Sequence, residues 1–159
     1  FNGPRYCHYL GAYFCTGCHQ GDLRVIPARV AERWDFEPRK VCTMASKYLD
    51  MQVNQPLVSI TRIRRSKASS QATLTDMHTL RQKLTRIKDV IRESGCKYAD
   101  TLNALMAKDP SHMVRGHELY TMQDLIRIEL EGRGWALFVK VARLVAMGVE
   151  HIRTCEVCC

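Results

Sequence analysis

Cysteine pairs near both ends of the chain have the spacing of metal ligands. Cys15 and Cys18 form one CxxC motif, and Cys155 and Cys158 form the second. A CxxC turn points two thiolates at one tetrahedral ion, and Zn²⁺ takes four such ligands, so each pair supplies half a site. Further candidate ligands flank the two pairs: Cys7, His8, His19, His151 and Cys159. The sequence therefore predicts zinc, held either in two sites or in one site that joins the chain ends.

Other uses of these cysteines fit their surroundings less well. Disulfides need an oxidising compartment, and no secretory signal pattern of a basic start, an apolar core and a small-residue cleavage site is found. A thioredoxin-like motif follows a strand and precedes a helix, whereas Cys15 follows the aromatic pair Tyr13 and Phe14. Cys42 and Cys96 stand alone. Free cysteine is among the most buried residue types, so we predict core packing for both.

The composition is that of a basic globular domain. The 159 residues are 46% hydrophobic and 25% charged, which suits one soluble domain with a sizeable core. The longest apolar stretches, residues 135–139 and 144–149, are too short to span a bilayer. The net charge of +8 predicts attraction to an acidic partner, which leaves nucleic acid, an anionic membrane and an acidic protein surface as candidates.

The sequence predicts a mainly α protein. Residues 1–22 are rich in cysteine, glycine and aromatic residues and are too irregular for a helix, so a metal ion must organise this zinc knuckle. Residues 38–153 form the helical region, and residues 151–159 form the C-terminal zinc-ligand segment. The first helix begins at Pro38 and ends before Pro56, because apolar residues recur between them at helical spacing.

The second helix is the best defined, and it carries most of the positive charge. Gly95 stands where a C-terminal cap belongs, and steps of three and four residues separate the apolar positions Met77, Leu80, Leu84, Ile87 and Ile91. Such a stripe is usually a core seam. Residues 60–92 contain nine basic residues against Asp76 and Asp89: Arg62, Arg64, Arg65, Lys67, Arg81, Lys83, Arg86, Lys88 and Arg92.

Three further helices complete the prediction. One spans residues 97–108. The next follows Thr121, which has the character of an N-cap with Asp124 at the third helical position. The last spans residues 135–153 and delivers the C-terminal ligands to the metal. We therefore predict a helical domain in which zinc-bound, cysteine-rich knuckles join the N- and C-terminal ends.

No catalytic site is evident in the sequence. It shows no nucleophile with an attendant base, no glycine-rich phosphate loop and no paired-carboxylate site. His112 and His117 lie in a polar stretch near Glu118, where solvated histidines are expected. We therefore predict that the chain is not an enzyme.

Four separated motifs together resemble the Rubicon-homology domain family, in the same order and over nearly the whole chain. They are YCHYLGAYFCTGCH at residues 6–19, IPARV with WDFEPRKV within residues 26–41, LYTMQDL at residues 119–125, and HIRTCEVC at residues 151–158. Family members have another CxxC upstream of this start and a cysteine-rich, RING-like stretch beyond this end. We therefore expect a shortened member of the family or a fragment of one.

The resemblance implies one domain over residues 1–159 with a defined set of zinc ligands. The ligand positions that match the family motifs are Cys7, Cys15, Cys18, His19, His151, Cys155 and Cys158. His8 competes with His19 for one role, and Cys159 is either a substitute ligand or a free thiol. Cys96 also falls where family members often have a cysteine, but we still predict packing for it.

The resemblance also implies a function. Family members are adaptors of endosomal and autophagic regulation that bind a late-endosomal Rab GTPase. For this chain it implies binding to the GTP state of such a GTPase, location on late endosomes, lysosomes or autophagosomes, and regulation of their maturation. An effector recognises switch loops that are ordered with GTP, for which exposed apolar residues ringed by basic ones are suited. The candidate surface lies on the second helix: Arg81, Lys83, Leu84, Arg86, Ile87 and Lys88.

Three alternatives remain open. A phosphoinositide or anionic-membrane module would place a basic patch beside the zinc knuckle, where only Arg5 and Arg24 lie. A RING-like ubiquitin ligase fragment needs its ligands in one compact run, which the long helical insert opposes. A nucleic-acid binder would use the basic run, but few aromatic residues are interleaved with it, so we expect no nucleic-acid partner.

Overall fold

The computed structural model describes residues 3–63 and 69–158, and within them the protein is mainly α, as predicted. The helices are α1 Pro27–Arg33, α2 Thr43–Gln52, α3 Ser69–Glu93, α4 Tyr98–Met106, α5 Ser111–Arg115, α6 Met122–Glu131 and α7 Ala136–Thr154. The strands are β1 Arg5–Cys7, β2 Ala12–Phe14, β3 Asp22–Arg24, β4 Arg39–Val41, β5 Val58–Ser59 and β6 Leu119–Tyr120. Outside the described residues lie four positions that the sequence analysis names: Arg64, Arg65, Lys67 and Cys159.

The described residues form two compact units. The first draws on residues 3–63 and 120–126, and the second on residues 69–119 and 127–158. Each unit has its own buried apolar residues, and α6 begins in the first unit and ends in the second. None of the described helices combines the length and the apolar character that crossing a membrane requires.

A short hairpin replaces part of the irregular segment predicted for residues 1–22. Strands β1 and β2 pair antiparallel, with Tyr6 opposite Tyr13. Gly11 closes the turn at φ +67°, a left-handed conformation that glycine adopts without strain, and its N–H donates to the Cys7 carbonyl at 2.9 Å. The hairpin fixes the backbone on both sides of the first candidate ligand.

The start of the first predicted helix was wrong by five residues. Strand β4 pairs antiparallel with β3, with Leu23 opposite Lys40, so residues 39–41 are extended and α2 begins only at Thr43. The apolar spacing continues without interruption from Pro38 into α2. This spacing cannot show that the first residues pair with another strand. Helix α1, to which the sequence analysis assigned no element, begins at Pro27, where the fixed φ of proline suits the first helical position.

Two long helices, α3 and α7, form the centre of the second unit and run in the same direction. Arg133 Nε donates to Asp76 Oδ2 at 2.9 Å near their N-terminal ends, and Ser94 Oγ lies 3.4 Å from Cys158 Sγ just beyond their C-terminal ends. Their facing sides supply the buried residues Met77, Leu84, Ile87, Ile91, Phe138, Val141, Leu144 and Val145. The predicted apolar stripe of α3 is therefore a core seam, with Leu80 half-buried.

Both predicted helix signals at the ends of α3 and α6 are confirmed. Gly95 follows α3 at φ +68°, and the N–H of Cys96 donates to the Ile91 carbonyl at 3.3 Å, which closes the helix. At the start of α6 the Asp124 N–H donates to Thr121 Oγ1 at 3.0 Å, and the Thr121 N–H donates to Asp124 Oδ2 at 2.8 Å. This reciprocal pair is a capping box.

Candidate metal centre

Four side chains at one end of the second unit converge as metal ligands would. The ligand atoms of Cys96, His151, Cys155 and Cys158 all lie within 4.8 Å of one another. Cys96 Sγ is 3.3 Å from His151 Nε2 and 3.8 Å from Cys155 Sγ. All four residues are half-buried. Three thiols and one imidazole make a complete four-ligand set that could hold a metal ion.

The distances fit tetrahedral coordination. Bonds of about 2.3 Å to sulfur and about 2.0 Å to nitrogen place two sulfurs about 3.8 Å apart and a sulfur and a nitrogen about 3.5 Å apart. The Cys96–Cys155 and Cys96–His151 distances match these edges to within a few tenths of an ångström. Since four protein ligands fill a tetrahedron and leave no position for a substrate, such a site is structural rather than catalytic.

Three separate backbone features deliver the ligands. Cys96 follows the glycine that ends α3, and His151 lies in the last turn of α7. The Cys155 N–H caps α7 by donating to the His151 carbonyl at 2.9 Å, and the Cys158 N–H donates to the Cys155 carbonyl at 3.1 Å. The parallel course of α3 and α7 brings these features to the same end.

The surroundings of Cys155 and Cys158 shift the pKa values of these two thiols in opposite directions. Backbone N–H groups, above all that of Val157, lower the pKa of Cys155 by stabilising its thiolate. The Ser94 hydroxyl acts in the same sense on Cys158, but burial and the neighbouring thiols outweigh it, and the pKa of Cys158 is raised. A bound cation would offset the repulsion between neighbouring thiolates, since metal ligation stabilises every thiolate in the set.

Cys96 is the candidate ligand that sequence reasoning did not favour. We predicted core packing for it, but it is only half-buried and lies within the cluster. A signal was available, because His151, Cys155 and Cys158 make three ligands and a structural zinc site needs a fourth. Sequence spacing cannot bring in a residue more than fifty positions away, and only the parallel packing of α3 and α7 supplies it.

The N-terminal candidates are arranged differently. Within the described ranges, Cys96, His151, Cys155 and Cys158 are the only group of three or more potential ligands that lie close enough together to share one metal ion. Cys15 and Cys18 are exposed on a turn in which the N–H groups of Cys18 and His19 both donate to the Cys15 carbonyl, at 3.1 and 3.0 Å. The backbone N–H of Cys18 is also the main reason that the pKa of Cys15 is lowered.

Cys7 is buried in a setting that favours its thiolate. Its sulfur accepts the Cys42 N–H at 3.3 Å. Burial raises the pKa of Cys7, but N–H groups of Cys42, Leu10 and Tyr9 outweigh it, so the pKa is lowered. Cys42 is itself buried in a core cluster with Val41, as predicted for a packing residue. All seven cysteines of the described residues are free thiols.

Both ring nitrogens of His19 are engaged by the backbone. Nδ1 accepts the Gly21 N–H at 3.2 Å, so Nε2 carries the proton and donates to the Tyr6 carbonyl at 3.1 Å. The side chain is fully buried. A metal ion at His19 would require one of these hydrogen bonds to break. His8, the competing candidate, is exposed.

The six residues predicted to bind a partner divide between the interior and the surface. Arg81, Leu84 and Ile87 are buried and Lys88 is half-buried, whereas Lys83 and Arg86 are exposed. Arg81 donates to the carbonyls of Gly116, His112 and Leu119 at 3.2, 2.6 and 3.0 Å, and therefore holds the chain around α5 in place. With the exposed Val90, Lys83 and Arg86 form one surface, which we name the outer face of α3.

Fold and site together define a small, mainly helical protein module whose second unit carries a candidate metal-binding cluster. The profile of the Rubicon Homology Domain matches residues 5–159, and the chain belongs to that family. The resemblance drawn from its four sequence motifs is thereby confirmed.

Curated relatives share this region. The chain is 29% identical over 154 residues to "Protein associated with UVRAG as autophagy enhancer" of Homo sapiens, covering 97% of this chain and 22% of the relative. It is also 29% identical over 154 residues to "Run domain Beclin-1-interacting and cysteine-rich domain-containing protein" of Mus musculus, covering 97% of this chain and 16% of the relative. "Differentially expressed in FDCP 8 homolog" of Drosophila melanogaster is 29% identical over 157 residues, 98% of this chain and 31% of the relative. The chain thus spans less than a third of each relative.

Proposed function

We propose that this chain is a non-enzymatic adaptor module that binds zinc and docks a late-endosomal Rab GTPase in its GTP state, and so regulates endosome or autophagosome maturation. Its place of action would be the cytoplasmic surface of late endosomes, lysosomes or autophagosomes. Membership of the Rubicon Homology Domain family supports the autophagic part, since two relatives carry autophagy or Beclin-1 interaction in their names. The observation that carries the proposal is the closed Cys₃His cluster, which suits a structural ion and offers no open position for catalysis.

Zinc is the favoured ion because thiolate and imidazole ligands at tetrahedral distances suit it best. Cys96, His151, Cys155 and Cys158 would hold it and tie the end of α7 to the end of α3. A second ion at Cys7, Cys15 and Cys18 stays a prediction from the sequence alone, because within the described residues these three thiols do not form a group close enough to share one ion.

Metal analysis of the purified chain tests the zinc proposal. We expect at least one zinc ion per chain, and one fewer in His151→Ala. His117→Ala is the matched control, because it removes an imidazole of the same unit that lies beside Glu118 rather than among thiols. Absence of zinc from the unaltered protein, or equal zinc in His151→Ala, would contradict the assignment.

The outer face of α3 is the proposed docking surface for the GTPase. Val90 is 41% exposed there, beside the exposed Lys83 and Arg86, so an apolar residue is flanked by basic ones. Aromatic and aliphatic contacts at the centre of an interface supply most of its affinity, and rim charges mainly steer association and select partners. The proposal thus rests on exposed residues alone, and excludes the buried Arg81.

Pull-down with GTP- and GDP-loaded Rab tests the surface. We expect the chain to retain only the GTP form, and Lys83→Glu/Arg86→Glu to reduce retention at least about tenfold, as the loss of two favourable charges predicts. Arg127→Glu/Arg143→Glu reverses two exposed charges elsewhere and should leave retention unchanged. Full retention by a folded Lys83→Glu/Arg86→Glu variant would exclude the surface, and retention of neither nucleotide form would exclude the GTPase.

A further inference from the structure

Helices α3, α4 and α5 enclose a cleft in the second unit that the adaptor proposal does not use. Its volume is about 660 Å³, within the range of sites for small organic ligands. One wall is apolar and buried, and is formed by Ile91, Leu102, Met106 and Val114. The rest of the lining is strongly charged and includes Lys88, Asp89, Arg92, Asp109 and Arg115.

The two carboxylates of the cleft are already neutralised. Asp89 Oδ1 accepts from Arg92 at 2.7 Å, and Asp109 Oδ2 lies 2.7 Å from Lys140 Nζ. Over residues 3–63 and 69–158, neither Lys88 nor Arg115 has a carboxylate within 4.0 Å. Two cations that form no ion pair among the described residues therefore line one cleft.

Lys88 and Arg115 both line the cleft, and the charge of Arg115 acts on Lys88. Lys88 Nζ donates to the Val114 carbonyl at 3.0 Å, which anchors it beside the next residue, Arg115. Burial lowers the pKa of Lys88, the charge of Arg115 lowers it further, and the charge of Asp89 opposes this shift without cancelling it. Like charges brought together in a partly buried cleft are costly unless an anion joins them, and such groupings are frequent at binding sites.

We propose that this cleft binds a phosphate monoester, with Lys88 and Arg115 on the phosphate and the apolar wall against the carbon skeleton of the ester. Near neutral pH a phosphate monoester carries close to two negative charges and three acceptor oxygens, which matches two unpaired cations. Lys88 keeps two N–H donors after its bond to Val114, and Arg115 offers a planar fork of donors. A carboxylate carries only one charge and would leave one cation uncompensated.

The ester could belong to a soluble metabolite or to a lipid headgroup, and the chemistry at Lys88 and Arg115 is shared by both. The side chain of Arg115 is exposed, so the cleft is open to solvent on the side where the phosphate would bind. Binding in this cleft is independent of the outer face of α3 and does not require a GTPase.

Calorimetric titration of the full 159-residue chain, purified without chelator, tests the proposal. The soluble probe is inositol trisphosphate, with inorganic phosphate and acetate as competitors at equal ionic strength. We expect saturable binding that phosphate displaces and acetate does not. Arg115→Glu and Lys88→Met should each weaken binding about tenfold or more, as the loss of a charge-assisted hydrogen bond predicts. Arg143→Glu, an equal change at an exposed site outside the cleft, should weaken it less than about twofold.

Vesicle flotation identifies the source of the ester. The site would be assigned to a lipid headgroup if the chain binds phosphatidylcholine vesicles that contain a phosphatidylinositol phosphate more tightly than it binds the soluble probe. Arg115→Glu should then lose the vesicle binding. Equal binding of the soluble probe and the vesicles would assign it to soluble esters. Equal weakening by Arg115→Glu and Arg143→Glu, effective displacement by acetate, or no saturable binding would overturn the site. Thermal unfolding of each variant separates loss of binding from loss of fold.

Discussion

The imidazole of His151 stacks on the ring of Tyr98, with the ring centroids 3.9 Å apart and the planes inclined by 11°. Tyr98 is the first residue of α4, two positions beyond Cys96, so the segment that carries the fourth candidate ligand also contacts the histidine ring. Groups that orient a metal-bound imidazole without touching the ion commonly raise metal affinity, because they fix the ring before the ion binds.

Replacing Tyr98 should therefore weaken metal binding without removing a ligand. We expect Tyr98→Leu to lower zinc affinity about tenfold, the lower end of the effect of such outer groups. Tyr98→Phe keeps the stacked ring and should retain the affinity of the unaltered chain. Competition with a chromophoric chelator measures both. Equal affinity in Tyr98→Leu and Tyr98→Phe would show that the stack does not position His151.

Arg81 is expected to be a stabilising residue rather than a contact residue. It is 1% exposed and donates to three backbone carbonyls between residues 112 and 119. We expect Arg81→Met to lower the free energy of unfolding by about 3 kcal/mol, because three backbone carbonyls lose the donors of a buried side chain. Lys83→Met, an exposed cation two residues further along, should change it by less than about 0.5 kcal/mol. Urea unfolding compares them, and similar values for both variants would contradict the role given to Arg81.

The sequence predicted features that depend on residues close in the chain, and it missed features that depend on partners distant in the chain. The seam residue Ile87 was predictable, because burial of one helix face repeats every three or four positions. The capping box at Thr121 was equally predictable, since its bonds span three residues. Cys96 and Lys40 were not, because a ligand role and a strand pairing depend on partners brought near by the fold. Arg81 belongs with them: its periodic position suggests a polar face, and only the carbonyls of the chain around α5 explain its burial.

A glycine of α7 lies against Ile87 of α3. A Cβ placed on Gly148 would lie 2.5 Å from Ile87 Cγ2, well inside contact distance. The branched Ile87 side chain is held in the core and cannot turn away. We therefore expect Gly148→Ala to destabilise the protein by about 1–3 kcal/mol, despite the better helix propensity of alanine.

A double-mutant cycle checks this contact. Ile87→Ala removes the methyl that clashes, so adding Gly148→Ala to that background should cost at least about 1 kcal/mol less than adding it to the unaltered chain. Thermal or urea unfolding of the four proteins gives the coupling. Additive effects of the two substitutions would mean that α7 shifts away from α3 instead of meeting Ile87.

The carboxylate of Asp35 should make the stability of the first unit sensitive to acid. The Glu37 N–H donates to Asp35 Oδ1 at 2.9 Å, and Arg29 Nε donates to Oδ2 at 2.9 Å. The first of these bonds, followed by the pairing with Arg29, lowers the pKa of Asp35 below its usual value. A carboxyl whose pKa is lower in the folded chain adds stability above its unfolded pKa of about 3.9, and that stability is lost as the pH falls through the folded pKa.

Asp35→Asn tests this directly, because the amide still accepts the Glu37 N–H but carries no charge. We expect the variant to be less stable than the unaltered chain at pH 6, and the difference to shrink below about pH 4 and vanish once Asp35 is protonated. Urea unfolding at a series of pH values measures the difference between the two proteins, which cancels any loss of metal that acid causes in both. Glu32→Gln, at an exposed position of α1, should show no such trend. A difference that stays constant across the pH series would mean that the charge of Asp35 does not stabilise the fold.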